Sequence, residues 1–412
     1  MSKKVYLDCT FTYQSGLNTG IQRVVRNLIA RAALAKEEYG YEFCPVVCIL
    51  NRYYKVDVED VLKVRPTIAQ VGSKGKEILA KWKSIGPSWV KPMWDWVEFA
   101  LRRGFALVKY LRLLLVSWRN RKERVVFESG SVFVLLDVFW TYDVTKAIKN
   151  SDHGLRKVVA VIYDLIPITH SQFVEEVNCR NFSRALPRLF TVVDQFICIS
   201  RSVAQDLSQY AVSNGLSGPR IDSFRLGSDF VPKIGVVGGE LVKSIFSAQK
   251  PWLVVGTIEP RKNHGFILDA FELLWASGYK ESLVVVGRVG WMCEDIMSRI
   301  NSHPELGKKM FLLQSVSDPD LQYCYAHAKG LIFASHAEGF GLPLVEAMAM
   351  KIPVICSDIP VFREIGSDYP SYFSLRDPQG LARAIVENKG VGSGSFEWPN
   401  WDGSLREFVR HI

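Results

Sequence analysis

Short apolar runs recur along the chain, and each one stops at a cluster of glycine, proline, serine or acidic residues. In the first half they cover residues 4–8, 157–163 and 195–199; in the second half they cover 252–258, 282–286, 310–313, 331–334 and 353–356. Runs this short and this free of charge read as strands buried on both faces. Between them the period lengthens to that of amphipathic helices, over residues 21–34, after Ser200-Arg201-Ser202, and from Asn263 to about Trp275. Strand and helix alternating in this way predict α/β architecture, with parallel sheets covered by helices on both sides. A chain of 412 residues is too long for one core, so two domains are expected. The stretch 232–250, with Gly235, Gly238 and Gly239, reads as the linker between two doubly wound halves. In such folds ligands bind outside the carboxyl ends of the strands.

One segment breaks the pattern. Residues 81–124 hold eleven Lys and Arg against three acids, and five of the eleven tryptophans. That excess of eight charges is nearly all of the chain's formal +9. A basic, Trp-rich, amphipathic insertion fits an anionic membrane surface, and a solvated helical insertion packed on the domain is the plainer alternative. Nucleic acid is the weaker reading of the charge, because no recognised binding module accompanies it. The eight cysteines are scattered, with no C-x-x-C pair or zinc spacing, and several sit inside apolar runs. They read as buried free thiols in a reducing compartment. Lys3-Lys4 leads straight into Val5-Tyr6-Leu7-Asp8 with no signal-peptide core. The longest apolar candidate, residues 105–118, is interrupted by Lys109 and Arg112. A cytoplasmic protein, peripheral on the inner face of the cell membrane, is expected.

The densest chemistry lies at Glu338-Gly-Phe-Gly-Leu-Pro-Leu-Val-Glu346. It reads as strand, glycine loop and helix, with Gly339 and Gly341 allowing a tight turn and Pro343 suited to the start of a helix. One carboxylate falls on the loop and the other in the first helical turn, with backbone N–H groups between them, at Gly341 and Leu342. Such an arrangement suits a phosphorylated, hydroxyl-rich ligand. A Glu near a helix start is also favoured by the helix dipole alone, and the glycines alone would explain a turn.

Taken with its surroundings, this segment resembles the E-x7-E signature of retaining glycosyltransferases of family 4, on the GT-B fold. Gly256-Thr-Ile-Glu-Pro-Arg261-Lys262-Asn263 is similar to that family's G-x-x-x-x-R-K-N loop. Pro353-Val-Ile-Cys-Ser-Asp358 followed by Glu364-Ile-Gly resembles its "P-V-x-x-S…E-x-x-G" element, Trp401 its last helix, and Thr19-Gly20-Ile-Gln-Arg23 its N-terminal glycine loop. The resemblance implies two Rossmann-like domains facing across a cleft: an acceptor-side domain over 1–235 containing the 81–124 insertion, and a nucleotide-sugar domain over 251–395. The C-terminal helix over 396–412 would return towards the first domain.

The same resemblance assigns roles. Arg261 and Lys262 would neutralise the leaving diphosphate, and Arg can hold two oxygens at once. Glu338 would face the donor sugar, Glu346 would hold the ribose hydroxyls, Gly20 would admit the phosphate, and Val316 would lie near the base. Tyr163-Asp164 stands where many relatives have His-Asp, so a phenol replaces the family imidazole, while Asp164 remains to bind sugar hydroxyls or order its loop. His170, six residues on, is a candidate for the missing role.

The implied reaction is metal-independent transfer of a hexose, mannose or a 6-deoxyhexose such as rhamnose, with retention. No cofactor and no metal are expected. The donor would be a GDP-sugar first and a UDP-sugar second, and the acceptor a lipid-linked or cell-surface glycan. A sugar-nucleotide epimerase or a membrane-associated, non-catalytic scaffold of the same fold are the alternatives. If the basic segment binds membrane, co-sedimentation with anionic liposomes falls when several of its Lys and Arg residues between 81 and 124 are neutralised. Undiminished binding would leave it a structural insertion.

Overall fold

The computed structural model describes residues 3–64, 123–228, 239–314, 316–388 and 397–412. All but the last two residues of the basic 81–124 segment lie outside them, as does most of the glycine-bearing part of the expected linker. Two sheets carry the fold. The first contains β1 (Lys3–Asp8), β2 (Tyr41–Ile49), β3 (Arg52–Lys55), β4 (Val132–Leu135), β5 (Lys157–Ile162), β6 (Gln195–Cys198) and β7 (Arg220–Ser223), in the order β3-β2-β1-β4-β5-β6-β7. β3 is its antiparallel edge strand, paired with β2. The second contains β8 (Trp252–Val255), β9 (Leu283–Val286), β10 (Met310–Leu313), β11 (Gly330–Phe333), β12 (Val354–Ser357) and β13 (Ser371–Phe373), in the order β10-β9-β8-β11-β12-β13. Every pairing in it is parallel.

Counted from β8, the second sheet has the doubly wound order 3-2-1-4-5-6, which reverses between β8 and β11. The apolar runs of the sequence correspond to its strands because each is covered on both faces. β9, β11 and β12 are buried along their whole length. The core beneath them gathers Trp252, Phe271, Leu283, Ile332 and Ile355, and the helix His264–Ala276 buries seven of its side chains there. Each fully buried large side chain contributes about 1.5–3 kcal/mol relative to exposure.

Several features were not foreseen. β2, β3, β4, β7 and β13 join the predicted strands, and the helix expected over 21–34 is two helices, Gly20–Ala30 and Ala32–Tyr39, broken at Arg31. The second half of the expected linker is the helix Glu240–Ala248. It packs on the helix Asp318–His327 through an edge-on contact of Phe246 with Tyr323, and the Gly239 N–H donates to Asp320 at 2.6 Å.

By contacts the chain divides into two compact units. One is Met1–Val161 with Arg188–Asp194 and Ile412; the other is Ile162–Pro187 with Gln195–His411. Within the second unit, the C-terminal helix Trp401–Val409 is tied to the segment that follows β7. The Ser404 hydroxyl donates to the Arg225 carbonyl at 2.7 Å, Arg225 Nε pairs with Glu407 at 2.9 Å, and the Trp398 indole donates to the Leu226 carbonyl at 2.6 Å. All eight cysteines are free, and seven are buried. Among the described residues no helix is long and apolar enough to cross a membrane.

The loops after β8 and β9 meet backbone to backbone. A Cβ on Gly287 would overlap the Gly256 carbonyl oxygen, and Gly287 N–H donates to the Leu313 carbonyl at 3.0 Å. Gly287→Ala therefore forces these loops apart and should cost about 1–3 kcal/mol, as overpacking does. A lowered thermal unfolding midpoint is the expected result, and an unchanged midpoint would contradict this packing.

Candidate functional site

The loop after β8 and the loop after β11 emerge side by side at the point where the second sheet reverses its strand order. The first loop carries Glu259, Arg261 and Lys262, and Pro260–Lys262 forms one 3-10 turn that ends at Asn263 in the left-handed region (φ 57°). The second carries Glu338 between Ser335 and Gly341. The His336 N–H donates to the Arg261 carbonyl at 2.8 Å and fastens one loop to the other.

The side chains complete the junction. Glu338, 8 % exposed, accepts Arg261 on one oxygen at 2.6 Å and Lys262 on the other at 2.5 Å. The Ser335 hydroxyl donates to the same Glu338 oxygen as Lys262, at 2.7 Å. Arg261 also pairs with Glu259 at 2.6 Å and donates to the Ala337 carbonyl at 3.0 Å. The Lys262 ammonium lies 4.6 Å from the centre of the Phe333 ring. Burial pushes the Glu338 carboxyl up, but the charges of Arg261 and Lys262 outweigh it and hold the group down at about 2. Glu338 is thus a fixed anion at neutral pH. It can accept hydrogen bonds or stabilise positive charge, and it cannot donate a proton.

The same loop meets Tyr163 and Ser200, which belong to its own unit. A Cβ on Gly339 would collide with the Tyr163 carbonyl, so only glycine permits this approach. The Ser200 hydroxyl donates to the Gly339 carbonyl at 2.8 Å. Tyr163 is buried, and Asp164 closes a local turn by accepting from Ile166 N–H at 3.0 Å. Burial raises the Asp164 carboxyl, and the charge of Arg261 opposes that rise. His170 hydrogen-bonds through Nδ1 to Thr169 Oγ1 at 2.9 Å and stacks on Phe173, which stacks in turn on His336. The Glu364 carboxylate accepts from the Arg201 and Ser202 N–H groups at 2.8 and 2.7 Å and so caps the helix Arg201–Ser213.

Gly341 adopts φ 112°, a conformation that disfavours any other residue, and opens the helix Leu342–Ala349. The N–H groups of Gly341 and Leu342 have no acceptor among the described residues. Glu346 stands elsewhere than expected. It is the fifth residue of this helix, in the second turn rather than the first, and it is 1 % exposed. The fully buried Tyr325 donates its hydroxyl to Glu346 at 2.9 Å. Sequence reasoning missed Tyr325, which lies on the helix Asp318–His327. Val316, half-buried, precedes that helix.

Gly20 lies in the other unit. It starts the helix Gly20–Ala30 behind a capping box formed by Thr19 and Gln22. Its loop is held by the buried Arg26, which donates to the carbonyls of Leu17 and Val61 at 2.5 and 3.0 Å. Nearby, at the ends of β1 and β4, Asp8 and Asp137 are fully buried. Burial, followed by the charge of Asp137, pushes Asp8 up to about 7. Asp8 accepts from the Tyr142 hydroxyl at 2.6 Å, and Asp137 accepts from Thr12 N–H at 2.5 Å. These acids fix the loop after β1 from inside the unit. Separated by more than a hundred residues, they leave no local motif to find.

Two doubly wound α/β sheets with this loop cluster define a GT-B fold. Among solved structures the whole chain is similar to sucrose-phosphate synthase from Thermosynechococcus elongatus. The TM-score is 0.55 at 14 % identity, covering 99 % of this chain and 93 % of that one. HepE from Anabaena, solved with UDP and glucose, gives a TM-score of 0.55 at 14 % identity, covering 100 % and 94 %. Residues 242–387 match the family described as "Glycosyl transferases group 1".

Among curated proteins the chain is 36 % identical over 310 residues to the serotype-specific mannosyltransferase WbdA of Escherichia coli, which covers 70 % of this chain and 38 % of that protein. It is 30 % identical over 237 residues to the O-antigen chain mannosyltransferase RfbU of Salmonella typhimurium, covering 56 % and 65 %. The chain therefore spans well under half the length of WbdA.

Because the folded-state pKa of Glu338 lies at about 2, below its ordinary 4.5, its pairing stabilises the fold above pH 4.5 and that stability is lost as pH falls from 4.5 through 2. Glu338→Gln leaves two buried cations without their shared anion. It should destabilise the protein by about 3–5 kcal/mol at neutral pH and shrink the loss of stability across that acid range. Denaturant unfolding as a function of pH measures both effects. Wild-type stability in the variant would contradict the pairing.

Proposed function

We propose that this protein is a retaining glycosyltransferase. It would move mannose from a nucleotide-diphosphate sugar, GDP-mannose first and a UDP-sugar second, to a lipid-linked or polysaccharide acceptor, without a metal and at the cytoplasmic membrane surface. The observation that carries the reading is the ionised Glu338 clamped between Arg261 and Lys262 where the strand order reverses, beside the free N–H groups of Gly341 and Leu342. The group 1 domain and the mannosyltransferase relatives support the same reading.

In this reaction the bond between sugar carbon 1 and the diphosphate oxygen breaks, and a bond to the acceptor oxygen forms on the same face. The electron pair leaves with the diphosphate, which takes up the acceptor proton. A helix start and basic side chains favour the leaving negative charge. A fixed carboxylate at Glu338 favours the positive charge that develops on the sugar ring. Tyr163 is buried where the family imidazole would stand, so the fixed Glu338 and the Asp164 loop remain the groups for contact with the sugar. The buried Glu346, oriented by Tyr325, would take the ribose hydroxyls once the nucleotide enters, since a carboxylate accepts both hydroxyls of a vicinal diol.

A panel of sugar nucleotides with and without glycan acceptor tests the proposal. Acceptor-dependent transfer from a mannose donor is expected, with the product retaining the donor's anomeric configuration. Rearrangement of the nucleotide sugar without acceptor would identify an epimerase, and no binding of any sugar nucleotide would overturn the reading. Glu346→Gln and Arg261→Ala should each lower donor kcat/KM, the first by about 10–100-fold, as expected for losing a charged hydrogen-bond acceptor. Unchanged turnover in both would remove these residues from the site.

A further inference from the structure

The charges at the site leave a diphosphate undercompensated. Arg261 and Lys262 are both engaged by the two acids Glu259 and Glu338, so the four side chains together carry no net charge. Arg261 is 19 % exposed, and its guanidinium is shared between Glu259, Glu338 and the Ala337 carbonyl. Its geometry is that of a clamp joining two loops. A ligand bearing two phosphates needs a cation that is not already committed.

Arg288 is an uncommitted cation in the neighbouring loop. It follows β9, next to β8 on the side away from β11, and its side chain is exposed. Among the described residues it makes no ion pair and no side-chain hydrogen bond; desolvation lowers its pKa, and the charge of Glu259 in the adjoining loop opposes that fall. Its backbone is fixed. The Ile258 N–H donates to the Arg288 carbonyl at 2.9 Å, the Gly290 N–H returns to the Ile258 carbonyl at 2.9 Å, and Ile258 bridges Val289 in parallel. A Cβ on Gly290 would meet the Ile258 carbonyl oxygen at 2.6 Å, so the loop has no room to slide. A fixed backbone therefore anchors Arg288 against Ile258, one residue before the Glu259–Lys262 turn. The planar fork of arginine suits paired phosphate oxygens better than an ammonium would.

We infer that Arg288 binds the diphosphate of the nucleotide-sugar donor, while Arg261 acts mainly as the clamp that shapes the site. This inference rests on the glycosyltransferase reading above. The test is calorimetric titration of the full chain, wild type, Arg288→Ala and Arg288→Lys, with GDP, UDP and the matching monophosphates. Arg288→Ala should weaken the preferred nucleoside diphosphate by about 10–100-fold, the loss of one charge-assisted contact. Its monophosphate should be affected much less, Arg288→Lys should recover part of the loss, and the thermal midpoint of unliganded protein should not move.

Equal affinity of wild type and Arg288→Ala for the diphosphate would overturn the inference and leave the parent reading standing. Equal weakening of mono- and diphosphate would also overturn it, because it would show a general field effect rather than a diphosphate contact. A wild type that binds no nucleoside diphosphate would sink both the inference and the reading beneath it.

Discussion

The buried bridge from Glu338 to Arg261 and Lys262 is the interaction on which the rest of the site depends. Parallel strands leave their connecting loops independent of one another, and a loop rich in glycine has little reason to hold one shape. Here two loops from the reversal point share one carboxylate, three donors converge on it, and a backbone hydrogen bond from His336 to Arg261 closes the junction. Removing either sign of charge would strand the other in a poorly hydrated place, so the loops are ordered together.

Once that junction is set, other constraints follow. With Glu338 fixed, Gly339 comes against the Tyr163 carbonyl and beneath the Ser200 hydroxyl, which places Asp164 beside Arg261. Gly341 then turns the chain in a conformation open to glycine and starts the helix Leu342–Ala349, on which Glu346 accepts from Tyr325. Glu259, Arg261, Lys262 and Glu338 balance one another in charge within this arrangement.

Much of this was legible in the sequence, for physical reasons. Strands covered on both faces must be apolar throughout, so β5, β6, β8 to β12 and the α/β class could be read from runs such as Leu-Val-Val-Val. Arg261, Lys262, Glu338 and Gly341 sit in local motifs, so they could be singled out from the sequence. What escaped depends on partners distant in the chain. β2 reads poorly as a strand because Pro45 interrupts it, and β7 because Arg-Ile-Asp-Ser is polar. Glu346 was expected in the first helical turn; with the helix beginning at Leu342 rather than Pro343 it is the fifth residue, just into the second turn, where Tyr325 reaches it from another element. The helix Glu240–Ala248 was hidden by the glycines beside it. Arg288 stands out only when the charges around it are counted in space.

The most direct test of the central claim is a double-mutant cycle on stability between Arg261→Met and Glu338→Gln. If the pair organises both loops, the double variant will be less destabilised than the two single changes summed, with a coupling energy at the upper end of about 0.5–3 kcal/mol. Strict additivity would mean that the two side chains act independently, and would contradict the account.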